Sequence, residues 1–155
     1  MIKAPIPKDE QARLDALYKL GLLDTPPEER FDQITEEARK RFNVMLSTIT
    51  LVDKDREWFK SYRGISTSTE GPRNVSFCGH ALTQDGIFVI EDTKKDPRFS
   101  DNPYVLGPPF IRFYAGVALH DHITNQPIGV FCIKDNKTRD FNAQDISDLL
   151  NFAKL

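Results

Sequence analysis

Residues 112–120 alternate between two faces. Phe113, Ala115, Val117 and Leu119 fall on one side of an extended chain, and Tyr114, Gly116, Ala118 and His120 on the other. A period of two is the mark of a β-strand. Turn residues near Asn125-Gln126-Pro127 lead into a second extended run, 128–134 (IGVFCIK), so the two read as a hairpin. An earlier pair follows the same plan. Residues 45–52 (MLSTITLV) are rich in β-branched side chains and apolar on both faces, which places them centrally in a sheet. After the turn Asp53-Lys54-Asp55-Arg56, residues 57–62 (EWFKSY) return. Residues 87–91 (IFVIE) form one more strand. Hairpins at both ends of the chain point to a mainly antiparallel sheet.

Helices flank these strands. Leu14, Leu17 and Tyr18 make one stripe in a helix over 8–20, stopped by Gly21. In DTPPEE, Thr25 is the expected cap, with Pro26 in the first turn and Glu28 closing a capping box. Phe31, Ile34, Ala38 and Phe42 carry that second helix to about residue 42. Residues 64–75 read as loop, and Ser76 caps a short helix to about Gln84. Asn142 caps the last helix, with Asp145 at its third position and a stripe of Ile146, Leu149, Leu150 and Ala153. The stripe is still running at Leu155, so the helix is expected to continue into a downstream output domain. The whole of 1–155 reads as one α+β domain.

Residues 92–111 stand apart. They hold about 20 residues and four prolines without a sustained period. Loops of that length inside a compact domain are often functional.

Composition narrows the function. The chain is 39% hydrophobic, with eleven Phe, which is enough apolar mass for a core. No apolar run approaches the roughly 20 residues of a membrane helix. The start, MIKAPIPKDE, lacks the apolar stretch of a secretory signal. Two cysteines, Cys78 and Cys132, make no disulfide framework, so a reducing cytoplasm is the expected home. The net charge is −2, and the one basic run, Arg39-Lys40-Arg41, ends a helix. Nucleic acid is therefore not an expected partner.

The strings LLDTPPEERFD (22–32), TLVDKDREWFKS (50–61), SFCGHAL (76–82), VIEDTKKDPRFSDNPYV (89–105), IRFYAGVAL (111–119) and IGVFCIKD (128–135) together span nearly the whole chain. In order and spacing they resemble the GAF family of sensory domains. The subgroup they look like accompanies bacterial histidine kinases and diguanylate cyclases. The resemblance implies an α+β, PAS-like fold: a five- or six-stranded antiparallel sheet with helices packed on one face. It also implies a homodimer built by the N- and C-terminal helices, and a regulatory role in which a small ligand or a partner is sensed. A dimerisation scaffold without ligand is the alternative.

Catalysis is not expected. One GAF branch reduces free methionine sulfoxide with a cysteine near the position of Cys78 and another in the loop that here reads DPRFSDNPYV, where there is none. Bilin-binding relatives attach their chromophore through a cysteine that residues 103–114 also lack. Both cysteines here read as small buried hydrophobes. His120 and His122 have no acidic or thiol cluster beside them, so no metal site is assigned. Asn136, Lys137, Phe141 and Asp145 resemble a cyclic-nucleotide signature, but the spacing is short and Ile146 stands where its Glu belongs. No cofactor is evident beyond an unknown small molecule.

The resemblance puts a ligand pocket between the sheet and the long loop. Its candidate residues are Phe59, Phe77, Cys78, His80, Asp92, Arg98, Phe99, Tyr104, Phe113 and Tyr114, with Val117 beside them. Arg98 is expected to pair with Asp92 or Asp96 and stiffen the loop. Arg73 and Arg112 offer cations near the pocket edge, for an anionic ligand or for carbonyl groups.

Overall fold

A computed structural model describes residues 1–66 and 68–155; Thr67, within the expected 64–75 loop, lies outside the described residues. Six antiparallel strands form one sheet: β1 (Leu46–Val52), β2 (Arg56–Gly64), β3 (Glu70–Pro72), β4 (Ile87–Ile90), β5 (Phe113–His120) and β6 (Pro127–Asp135). Their spatial order is β3-β2-β1-β6-β5-β4. β1 lies centrally, pairing Leu46 with Gly64 of β2 on one side and with Lys134 of β6 on the other. All seven of its residues are buried, which explains why apolar groups occupy both of its faces. The short β3 was not legible in a stretch of Ser, Thr, Gly and Pro; it pairs only at Arg56, Glu57 and Trp58.

Helices α1 (Glu10–Lys19), α2 (Glu29–Phe42) and α5 (Ala143–Phe152) pack on one face of the sheet, as the resemblance implied. Leu17, Ala38, Phe42 and Leu149 meet Ile49, Phe113, Phe131 and Ile133 there. Arg13 is fully buried on α1 because every part of its guanidinium is used. Nη1 donates to the Val52 carbonyl at 2.7 Å, and Nε and Nη2 donate to Glu10 at 3.0 and 2.9 Å.

α2 begins later than its sequence signals suggest. Glu28 is the N-cap and makes no side-chain cap bond. Thr25 is occupied elsewhere: its hydroxyl donates to the Leu22 carbonyl and accepts from Lys60 Nζ. A capping box forms instead at α5, where Asn142 Oδ1 accepts from the Asp145 amide at 2.8 Å and Asp145 Oδ2 accepts from the Asn142 amide at 3.0 Å.

The opposite face carries a second apolar cluster under α3 (Phe77–Ala81), α4 (Pro103–Leu106) and the long loop. That loop is ordered by specific ties. Thr93 Oγ1 donates to the Ile111 carbonyl at 2.7 Å, and Asn102 Nδ2 to the Val75 carbonyl at 3.0 Å. A 3-10 turn (Thr93–Lys95) and α4 break its 20 residues into short connections, with a cis peptide at Pro108-Pro109. Residues 1–4 lace across this side as well: the Ile2 amide bonds to the Arg98 carbonyl and the Ala4 amide to the Asn74 carbonyl. Among the described residues no helix is long and apolar enough to cross a membrane.

Candidate ligand site

The alternation of β1, β2 and β6 decides which side chains meet on the loop-covered face. On β6 these are Val130, Cys132 and Lys134; on β2 they include Glu57 and Phe59. A cavity of about 120 Å³ opens between this face and the loops. Its buried floor is Leu46, Glu57, Ser76, Phe77, Ile111 and Lys134. Phe59 and Tyr104 form half-buried walls, and Ile65, Ser68, Glu70 and Pro108 an exposed rim.

Two opposite charges sit in that floor. Glu57 is 6% exposed and Lys134 5% exposed. Both line the cavity, yet among the described residues they form no ion pair. Glu57 Oε2 is buried with no hydrogen-bond partner. Lys134 Nζ lies 5.4 Å from the centre of the Phe59 ring. Burial pushes the Glu57 carboxyl up, and the Lys134 charge offsets this only in part. Burial works to depress the Lys134 ammonium, but Glu57, with the acidic groups of Cys132, Cys78 and Tyr104, outweighs it and the pKa rises. An unpaired buried carboxylate oxygen is costly, so the site holds electrostatic energy that a complementary molecule would release.

The expected pocket residues divide into three groups. Phe59, Phe77 and Tyr104 line the cavity. Cys78, Phe99 and Tyr114 lie behind it as packing: Phe77 stacks on Phe99 at 4.4 Å between centroids, and Tyr114 Oη contacts Cys78 Sγ at 3.2 Å. The remaining four, and Val117 beside them, are elsewhere. Phe113 and Val117 face the helices, Phe113 packing 5.4 Å from the Phe141 ring, because neighbouring residues of a strand point to opposite faces. His80 packs edge-on against Phe99 at 4.6 Å, with Nε2 3.0 Å from the Ile2 carbonyl. Burial, with the nearby Arg98 charge, lowers its pKa, against the Ile2 bond. Asp92 caps the 3-10 turn through the Lys94 amide. Arg98 makes a two-bond pair with Asp96, at 3.0 and 2.6 Å, and lies over the Phe88 ring.

The other cations are also spent internally. Arg112 Nη1 donates to the Val105 carbonyl at 2.8 Å. Arg73 Nη1 and Nη2 hold Glu10 at 2.5 and 3.1 Å. Glu57 and Lys134, absent from the expected set, were marked by one signal: each is a charge at an inward position of an otherwise apolar strand face.

Beneath the cavity, Cys78 and Cys132 have their sulfurs 3.7 Å apart, and Thr48 Oγ1 lies 3.0 Å from Cys132 Sγ. Burial raises the Cys78 thiol well above its ordinary value. For Cys132, burial acts the same way, but bonds from Cys78 and Thr48 and the Lys134 charge outweigh it, so its pKa falls. Among the described residues there is no cluster of three or more His, Cys, Asp or Glu able to hold a metal.

The profile of the GAF domain family matches residues 26–155. The chain belongs to the GAF domain family. It is 37% identical over 156 residues to a cyclic di-GMP phosphodiesterase of Pseudomonas aeruginosa, a match that covers all of this chain and 26% of that protein. The chain thus spans about a quarter of the length of this curated relative. Two solved structures share the GAF fold at low identity. The GAF domain of an Acinetobacter phosphoenolpyruvate-protein phosphotransferase has a TM-score of 0.65 at 16% identity, covering 92% of this chain and 89% of that one. Free methionine-R-sulfoxide reductase from Neisseria meningitidis, in complex with its substrate, has a TM-score of 0.65 at 20% identity, covering 99% and 92%.

Proposed function

We propose that this GAF domain is the regulatory input of a bacterial signalling protein, that it binds a small molecule in the cavity beneath the Pro108-Pro109 loop, and that it passes the signal on through α1 and α5. The observation that carries this reading is the cavity itself. A floor with a buried, unpartnered carboxylate oxygen and an aromatic wall supports reading it as a site for a polar ligand. The similarity to a cyclic di-GMP phosphodiesterase favours an output in cyclic di-GMP turnover; a histidine kinase output is the other form of the same reading.

The domain is read as non-catalytic. Its two thiols are fully buried, and the loop 96–105 has no cysteine. A homodimer through the terminal helices belongs to the same proposal. α1 and α5 turn Leu14, Leu17 and Leu149 onto their own sheet, which leaves Tyr18, Leu20 and Leu150 as outward apolar groups for a second copy.

The test is a thermal-shift survey of this chain with a metabolite library, followed by hydrogen exchange of each hit. Binding in the cavity slows exchange at residues 68–71 and 104–111 and changes it in α1 or α5. A hit that leaves both regions unchanged, or a library without hits, removes the ligand reading and favours the scaffold.

A further inference from the structure

The charges of the cavity floor say what kind of molecule fits. Resting on the ligand reading above, we propose that the cavity takes a small zwitterion whose protonated primary or secondary amine donates to Glu57 and whose anionic group meets Lys134.

The argument begins with desolvation. A buried ion costs several kcal/mol relative to water unless it is paired and hydrogen-bonded. Glu57 and Lys134 are both almost wholly buried, on β2 and β6 with β1 between them, and neither closes onto the other. A ligand carrying one charge would satisfy one of the two and leave the other opposed by nothing new. A neutral ligand would fill the volume and strip both of any remaining polar contact. A molecule with a positive and a negative end, lying along the floor, satisfies both at once.

Size and donor chemistry narrow the class further. About 120 Å³ is the volume of about four water molecules, so the molecule is of the order of a small amino acid. Glu57 Oε2 lacks a hydrogen-bond donor, not merely a cation. A protonated amine supplies N–H groups; a quaternary ammonium does not. Phe77 in the floor and the walls Phe59 and Tyr104 provide apolar surface for the stem that joins the charges. Ser76 is not available to the ligand as a donor, because its hydroxyl donates to the Arg73 carbonyl and accepts from the Gly79 amide.

The probes are the common free L-amino acids and small ω-amino acids, with the N-acetyl, C-amide and N-trimethyl forms of any that bind, and an uncharged set of sugars and nucleobases. Affinity is measured by calorimetry on this chain. The expected result is a free amino acid that binds, with each of its three derivatives weakened at least about 30-fold, the loss typical of removing one partner of a buried charge pair. Glu57→Gln and Lys134→Met each give a similar loss. The double variant Glu57→Gln/Lys134→Met removes both charges together, so it folds, which circular dichroism confirms, and it does not bind the zwitterion. Derivatives or a folded double variant that bind as tightly as the parent pair overturn the assignment. If the uncharged set binds and the zwitterions do not, the cavity is a ligand site of another class. If neither set binds, the ligand reading falls with it.

Discussion

Tyr114 Oη rests 3.2 Å from Cys78 Sγ, and both side chains are fully buried. This is the contact that the Tyr114 hydroxyl makes among the described side chains. Cys78→Ala removes it and strands a buried hydroxyl, at a cost of about 1–3 kcal/mol. Adding Tyr114→Phe removes the stranded group, so the double variant is more stable than the sum of the two single losses. A urea-denaturation cycle measures the coupling; strict additivity would show that the contact carries no energy.

The two thiols give a second prediction. Cys78 and Cys132 are wholly buried. Although the Cys132 pKa is lowered, reactivity needs access as well as ionisation. Ellman's reagent should label neither thiol of the native protein near pH 8 and both after denaturation. Rapid labelling of the native form would refute the packing described for the loop-covered face.

Acid should act through Glu10. Burial works to raise its carboxyl, but bonds and charges from Arg13 and Arg73 prevail and bring it from 4.5 down to about 2. A carboxyl depressed on folding contributes stability that is fully present above its unfolded value near 4.5 and is lost as pH falls through about 2. The side chain is partly solvated, so Glu10→Gln is expected to cost about 1–2 kcal/mol at pH 7. The gap between parent and variant should narrow as pH is lowered from 4.5 towards 2, as read by denaturant midpoints. A gap that is constant with pH would mean that the charge is not what matters.

Gly129 tests the close approach of β6 to β1. A Cβ there would collide with the Thr50 carbonyl oxygen, a backbone atom fixed in the central strand. Gly129→Ala is therefore expected to cost about 3 kcal/mol or more, beyond ordinary overpacking. Gly21→Ala meets no atom within 4 Å, although its φ of +64° adds modest strain. Thermal melts of the two variants should separate clearly.

The α5 cap sets a smaller scale. Asn142→Ala breaks the capping box and should cost about 1 kcal/mol, a fall of about 2–4 °C in Tm. Asn142→Asp keeps the acceptor and should stay within a few tenths of a kcal/mol of the parent. Equal losses from both would deny that the cap is the cause.

How far the structure could be read from sequence depends on the range of the interactions. The strands at 46–52, 113–120 and 127–135 and the α5 cap rest on local periodicity and neighbouring side chains, and these were legible. Thr25 was misread as a cap because Lys60, 35 residues away, claims its hydroxyl. Phe113 and Tyr114 could not share one pocket, and the alternation already excluded it; the family resemblance drew both towards the loop. Glu57 and Lys134 are far apart in the chain, and only the pairing of β2 and β6 with β1 brings them to one floor. Their charges at inward positions were visible, but not the fact that they line one cavity.

Glu10 also determines which parts of the molecule must travel together. It grips Arg73, the first residue of the 3-10 turn that leads directly to Ser76 and Phe77 in the cavity floor. Arg13, one turn further along α1, is moored to the end of β1. Floor, turn and helix are thus tied to one another through these two arginines. Under the regulatory reading proposed above, this linkage is the route by which a shift at Phe77 would reach α1, with Glu10 as its pivot.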